Sequence, residues 1–331
     1  IASHINASPS EIIFTSGGTE ADNLVLRSAV KDLNINHIIT SKIEHHAVLH
    51  TVEQLEKDYS IKVSYVNILD NGFIDYTHLE KLLKSSYSTL VSLMHINNEI
   101  GNILDIQKVA ILCKDNNALF HSDTVQSLGH YHIDVKKTPI DFLVASAHKF
   151  HGPKGVGFTF IRKNSGLKSL ITGGNQERGI RAGTESIHDI VGLDEALSLS
   201  YQNLEKDNSY IMDLKSYFIS QLDINIPGVK FNGACSDFIN STYTLVNICL
   251  PVSSTSAPMF LFQLDLKGIA CSKGSACQSG SGKGSHVLSE ILNDNDMNKP
   301  SIRFSFSVYN TKKELDSVVS ILKDLVNNTI S

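Results

Sequence analysis

Short apolar runs alternate with stretches of helical spacing along the first half of the chain. Residues 11–18, EIIFTSGG, carry the β-branched and aromatic content of a strand and end in a glycine turn. The next stretch, TEADNLVLRSAVKDL, brings Leu24, Ala29 and Leu33 to helical spacing. Residues 37–40, 61–66, 89–96, 117–123 and 141–147 read as further strands, and most have a helical stretch between them. In residues 105–117 the positions Ile106, Val109, Ala110 and Cys113 share one helix face. Strands apolar on both faces, alternating with helices, predict an α/β domain with a mainly parallel sheet, and residues 155–162 fit another strand of it.

The pattern changes near Ser186. From there to about Leu222 it is helical and nearly unbroken, long enough to bridge two domains. Strand-like runs at 241–250 and 301–307, a helix near 257–267 and a last helix from Thr311 predict a smaller α+β domain. The expected division is 1–203 for the large domain and 204–331 for the small one.

Composition narrows the function classes. The 331 residues carry a net charge of −5 with mixed signs, which favours neither nucleic acid nor an anionic membrane as a direct partner. No apolar run reaches the ~18 residues of a transmembrane helix. The start, IASHINASPSE, lacks the basic and apolar regions of a signal peptide. The five cysteines are odd in number and irregularly spaced, which argues against a disulfide framework and for the cytoplasm. Their spacing matches no usual zinc pattern, so no metal is expected.

Polar clusters fall at the predicted carboxyl ends of strands, where open α/β sheets bind ligands. TSGGTE, residues 15–20, follows a strand and opens a helix, a place where backbone N–H groups favour an anion. Alone it reads equally well as a helix cap and turn. Asp123 in HSDTVQS and Lys149 in SAHKFHGPKG end two further strands. A lysine partly desolvated there would lose its proton more easily and could form a Schiff base; a single lysine is more often a solvated surface group. Phosphate anchor, carboxylate and lysine together meet the needs of pyridoxal 5'-phosphate (PLP).

At this point the chain resembles the cysteine desulfurases of the class V aminotransferase group, PLP fold type I, in the housekeeping branch that serves iron–sulfur clusters. The resemblance rests on TSGGTEADN, EHHAVL, HINNEIG, HSDTVQS, SAHKFHGPKGVG, ERGIRAGTES, GSACQSGS and SIRFS, in that order, over essentially the whole chain. It implies the type I fold, a large domain with a mainly parallel, seven-stranded sheet and a smaller α+β C-terminal domain. It implies that Lys149 holds PLP covalently, that Asp123 pairs with the pyridinium nitrogen and that Gln126 bonds the phenolic oxygen. His45 would stack on the ring and assist proton transfer, while Gly18, Thr19, Ser146 and His148 hold the phosphate. Thr184 would reach the phosphate of the partner subunit in a homodimer. Asn98 would lie near cofactor and substrate, and Arg303 would clamp the substrate carboxylate; a structural ion pair is the plainer role for such an arginine.

The resemblance also assigns the thiol in GSACQSGSGKG. Cys277 would take sulfur from L-cysteine as a persulfide, leaving L-alanine, and the Gly/Ser loop would carry it to an acceptor such as an iron–sulfur scaffold. Nucleic acid would enter only by way of tRNA-modifying acceptors. Cys271 is not expected to be the nucleophile, and GSGKGS lacks the residue placement of a nucleotide-binding loop. The family's N-terminal strand and helix have no counterpart before Ile1, and its C-terminal scaffold-docking extension none after Ser331. Selenocysteine lyase, cysteine sulfinate desulfinase and a catalytically impaired sulfur-carrier or partner-binding protein remain the alternatives.

Overall fold

The strands at the centre of the fold are short, four or five residues each, and mostly buried. β1 (Ile12–Thr15), β2 (His37–Thr40), β3 (Lys62–Tyr65), β4 (Thr89–Ser92), β5 (Leu119–Asp123), β6 (Phe142–Ser146) and β7 (Gly157–Ile161) form one sheet in the order β1-β7-β6-β5-β4-β2-β3. The computed structural model describes residues 1–252, 257–272 and 284–330. β2, β4, β6 and β7 are buried along their whole length, which explains their continuous rather than alternating hydrophobicity. Six strands share one direction. β7 runs against both β1 and β6, pairing Gly157 with Thr15 on one side and with Ser146 on the other.

Four helices of this unit start at defined caps. α1 (Gly18–Asp32) begins after Gly17, whose φ of 148° lies in the region that favours glycine. The Nδ1 of His45 accepts from the Ala47 N–H and caps α2 (His46–Tyr59). Asp75 and Asp105 cap α3 (Tyr76–Leu83) and α4 (Ile106–Asp115) through their carboxylates. α1 buries Leu24, Val25, Leu26 and Ala29 in a core shared with Val48, Val52 and Leu55 of α2 and with Ile13, Ile38, Leu90 and Phe142 of the sheet. Burial of a side chain of this size contributes about 1.5–3 kcal/mol, so this shared face fixes α1 on the sheet.

The chain divides into two compact units. The first comprises 1–67, 74–96 and 104–204, and the second 68–73, 97–103 and 205–331. α5 (Ile187–Asn225) contributes to both, changing unit after Leu204. Two short segments that precede the helix, including residues 97–103 with the last five residues of the HINNEIG motif, therefore belong with the second unit. A division at one point of the chain does not describe that arrangement.

In the second unit β8 (Lys230–Phe231), β9 (Leu245–Cys249) and β10 (Ser301–Ser305) form an antiparallel sheet, with β9 in the middle. α6 (Ala257–Leu266), α7 (Asp294–Met297) and α8 (Lys312–Ile330) complete it. Phe218 of α5 meets Phe304 edge-on at 5.2 Å and Phe306 at 5.7 Å. Lys215, fully buried on the same helix, donates to Ser241 Oγ and to the Thr242 carbonyl, both at 2.7 Å. The runs read as strands at 89–96 and 241–250 are shorter here, at four and five residues. Among the described residues, no helix is long and apolar enough to cross a membrane.

Candidate active site

The direction of the strands brings the polar clusters of the first unit to one edge of its sheet. β1, β2, β4, β5 and β6 all end there, at Thr15, Thr40, Ser92, Asp123 and Ser146. At the start of α1 the N–H groups of Gly18, Thr19 and Glu20 bond to no described residue. The Glu20 carboxylate is turned away from them, accepting from Ser16 N at 2.9 Å and from Arg181 Nε at 2.8 Å. The backbone below is packed too closely for side chains. A Cβ on Gly157 would sit 2.3 Å from the Ala145 carbonyl oxygen and 2.8 Å from the Gly17 Cα, and one on Gly18 2.8 Å from Val125. Ser146 Oγ lies 2.9 Å from Nδ1 of His148. Partial desolvation, with the charges of Lys149 and Lys154, holds the His148 ring below its usual pKa.

Asp123 is 6% exposed and accepts from Val125 N at 2.9 Å. Burial raises its pKa; the Val125 bond and the charges of His45 and Lys149 oppose the rise. Lys149 follows β6 in a short 3-10 turn (Ala147–Phe150), with its carbonyl 3.0 Å from His130 Nε2. Lys149 and His148 are exposed in this unit. The cap geometry makes Nδ1 of His45 an acceptor from the Ala47 N–H. Gln126 is half-buried and Thr184 exposed. Thr19, Asn23, Arg27, His45, His46 and His50 line a polar cleft of about 420 Å³.

These features fit PLP. Three N–H groups at the start of a 15-residue helix, without partners among the described residues, suit a phosphate. A buried carboxylate with a raised pKa suits a pyridinium cation. A primary amine close enough for its charge to act on that carboxylate suits a covalent link.

The second unit holds a separate cluster. Arg303 of β10 donates through Nη1 to the Asn98 carbonyl at 2.6 Å. Glu99, fully buried, accepts from Ser285 Oγ at 2.5 Å. Burial raises the Glu99 pKa, while Ser285, His286 and Arg303 act against the rise. Ser272 exchanges two backbone hydrogen bonds with Arg303, at 2.8 and 3.1 Å. The segment 273–283 is thus flanked by Ser272 on Arg303 and by Ser285 on Glu99. Cys277 lies outside the described residues. Cys271 is half-buried, and burial pushes its thiol up to about 11, which does not suit a nucleophile at neutral pH.

Sequence reasoning passed over five buried carboxyl and imidazole groups of the first unit: Asp22, His37, Glu44, His95 and His121. Glu44 accepts from Met94 N at 2.9 Å and from Ser41 Oγ at 2.8 Å, holding the turn that carries His45 against β4. A titratable residue inside an otherwise apolar run was the available signal for His121, and the Glu-His order of EHHAVL for Glu44.

Comparison with known proteins agrees with this geometry. The model of the family described as Aminotransferase class-V matches residues 1–318. The protein named cysteine desulfurase IscS of Dictyoglomus turgidum is 39% identical over 328 residues, 98% of this chain and 82% of that protein. Among solved structures, one described as a NIFS-LIKE PROTEIN superposes with a TM-score of 0.86 at 34% identity, covering 98% of this chain and 85% of its own. Another, SspA in complex with cysteine, gives 0.79 at 32%, covering 94% and 85%. On this fold, this cluster and these matches, the chain belongs to the class V aminotransferase family and has the PLP fold type I architecture of its NifS-like members.

Proposed function

We propose that the chain is a PLP-dependent cysteine desulfurase, converting L-cysteine and the Cys277 thiol to L-alanine and a Cys277 persulfide. The observation that carries this reading is the buried carboxylate of Asp123 within reach of the charges of Lys149 and His45, beside the unpaired N–H groups of α1. Relatives named cysteine desulfurase and a related structure in complex with cysteine support the choice of substrate.

Bound PLP supplies an electron sink that makes the Cα proton of an amino acid removable. Lys149 would hold it through its amine. Asp123 would keep the ring nitrogen protonated, and Gln126 would donate to the phenolic oxygen. Gly18, Thr19, Ser146 and His148 would take the phosphate. His45 would stack on the ring, with Nε2 placed to hold or pass a proton while Nδ1 stays on Ala47. Arg303 would clamp the substrate carboxylate with Asn98 beside it; the bond to the Asn98 carbonyl helps fix the guanidinium. The Cys277 thiolate would attack the substrate sulfur, so that the C–S bond breaks and the new S–S bond stays on the protein. We also propose a cytoplasmic homodimer in which the partner subunit's Thr184 completes the phosphate site, with an iron–sulfur scaffold as the sulfur acceptor.

Borohydride reduction of the PLP-loaded chain should label Lys149, and L-cysteine should release alanine. Equal labelling of Lys149→Ala, or alanine release unchanged in Cys277→Ser, would refute the assignment.

A further inference from the structure

Behind Asp123 lie two ionisable groups that the proposed chemistry does not use. His121 and Asp123 are two residues apart on β5 and so face the same side of the sheet. His121 is fully buried, with Nδ1 2.9 Å from Ser92 Oγ on β4. Its Nε2 faces Oδ1 of Asp22, on α1, at 3.4 Å. Asp22 is 1% exposed, and among the described residues neither Oδ1 nor Nε2 has a hydrogen-bond partner. Two buried polar atoms that face only each other are both satisfied by one proton between them.

The proton has two possible homes. If it sits on Nε2, Asp22 is a buried anion. If it sits on Asp22, both groups are neutral and His121 carries its own proton on Nδ1, donating to Ser92. The surroundings decide. The charged groups acting on Asp22 are Asp123 from β5 and Glu44 from the turn before α2, both carboxyls. The strands β1, β4, β6 and β7 bring no ionisable side chain. His45 and Lys149 act on Asp123 instead. Among the described residues no cation is among the charges acting on Asp22, and burial pushes its carboxyl well up and the His121 ring down to about 3.

We propose that Asp22 and His121 form a buried proton-holding pair in which Asp22 is the neutral acid, donating to Nε2 of His121. The pair confines the negative charge of this chamber to Asp123. Asp22 is then a positioning residue: by keeping its proton it leaves Asp123 as the one anion facing the ring nitrogen, as two close carboxyls sharing a site must divide their charge. The role at the ring rests on the PLP reading above; the protonation of the pair does not.

Two measurements on the apoprotein test the pair. Histidine-selective ¹⁵N NMR, assigned with His121→Asn, should show the neutral Nδ1–H form of His121; the Nε2–H form would overturn the proposal. A group whose pKa is raised by folding stabilises the protein fully below its unfolded value and loses that contribution as pH rises through the folded one. As pH rises above the ordinary carboxylate range, the urea midpoint of the parent should therefore fall by more than that of Asp22→Asn, which keeps a donor to Nε2 but cannot ionise. Parallel profiles would overturn the proposal, and the NMR result decides it if the variant fails to fold. A PLP titration of the parent separates the two ideas, because a chain that takes up no PLP refutes the functional reading alone.

Discussion

Replacing Gly157 by alanine tests the claim that close backbone packing shapes the phosphate cradle. Gly157 lies on β7, with Ala145 of β6 on one side and Gly17, just before α1, on the other. The added Cβ would be 2.3 Å from the Ala145 carbonyl oxygen, 2.8 Å from Gly17 Cα and 3.1 Å from Gly17 C. Unbonded heavy atoms settle at about 3.5 Å or more, so the nearest contact is short by about 1 Å. All three atoms are backbone, and no side chain can swing aside. Relief requires β6 and β7 to part or Gly17 to move, and either displaces the N–H groups of Gly18 and Thr19. Overpacking of this kind costs typically 1–3 kcal/mol, and a rigid backbone contact belongs at the upper end, about 3 kcal/mol. Gly155→Ala is the control. Its added Cβ meets nothing within 4 Å, but its φ of 85° disfavours alanine by about 1–2 kcal/mol. Urea unfolding of the two apoproteins gives the stabilities, and titration with PLP gives the affinities. Gly157→Ala should be the less stable and should lose PLP affinity at least tenfold, while Gly155→Ala keeps most of it. Equal stability of the two variants, or an unchanged affinity in Gly157→Ala, would refute the reasoning.

Burial raises the Glu44 pKa to about 8 against 4.5 for the free group, so its contribution to stability is complete at low pH and is lost as pH rises through about 8. Glu44→Gln should abolish a decline of about 1.4 kcal/mol per pH unit within that window, read from unfolding curves at several pH values. Arg303→Ala should raise the KM for L-cysteine at least tenfold, and Arg303→Lys should recover little of the loss, since a planar fork is replaced by a point charge; a KM unchanged in both variants would restrict Arg303 to its bond with Asn98. In Cys277→Ser, L-cysteine should still change the visible spectrum of the PLP-loaded chain while no persulfide accumulates, because a serine hydroxyl stays un-ionised at neutral pH; persulfide formation at the parental rate would exclude Cys277 as the acceptor.

The alternation of apolar runs with helical spacing determined the α/β class, and the elements fall where that spacing puts them, because burial on one face or two is written locally into each segment. Lys149, Asp123 and Thr19 were legible for a related reason: each follows an apolar strand in a polar cluster, and a parallel sheet gathers such clusters at one edge. The tertiary structure decided what depends on neighbours remote in sequence. That β7 runs against its neighbours cannot be read from GVGFTFIR, since an apolar strand is equally buried in either direction. The grouping of residues 97–103 with the second unit reflects packing against segments more than a hundred residues later, such as Thr242 on Gly101. Asp22 on α1, His121 on β5 and Ser92 on β4 carry no shared local pattern. Only the fold excludes water from all three, and that exclusion makes the position of one proton a property of the site.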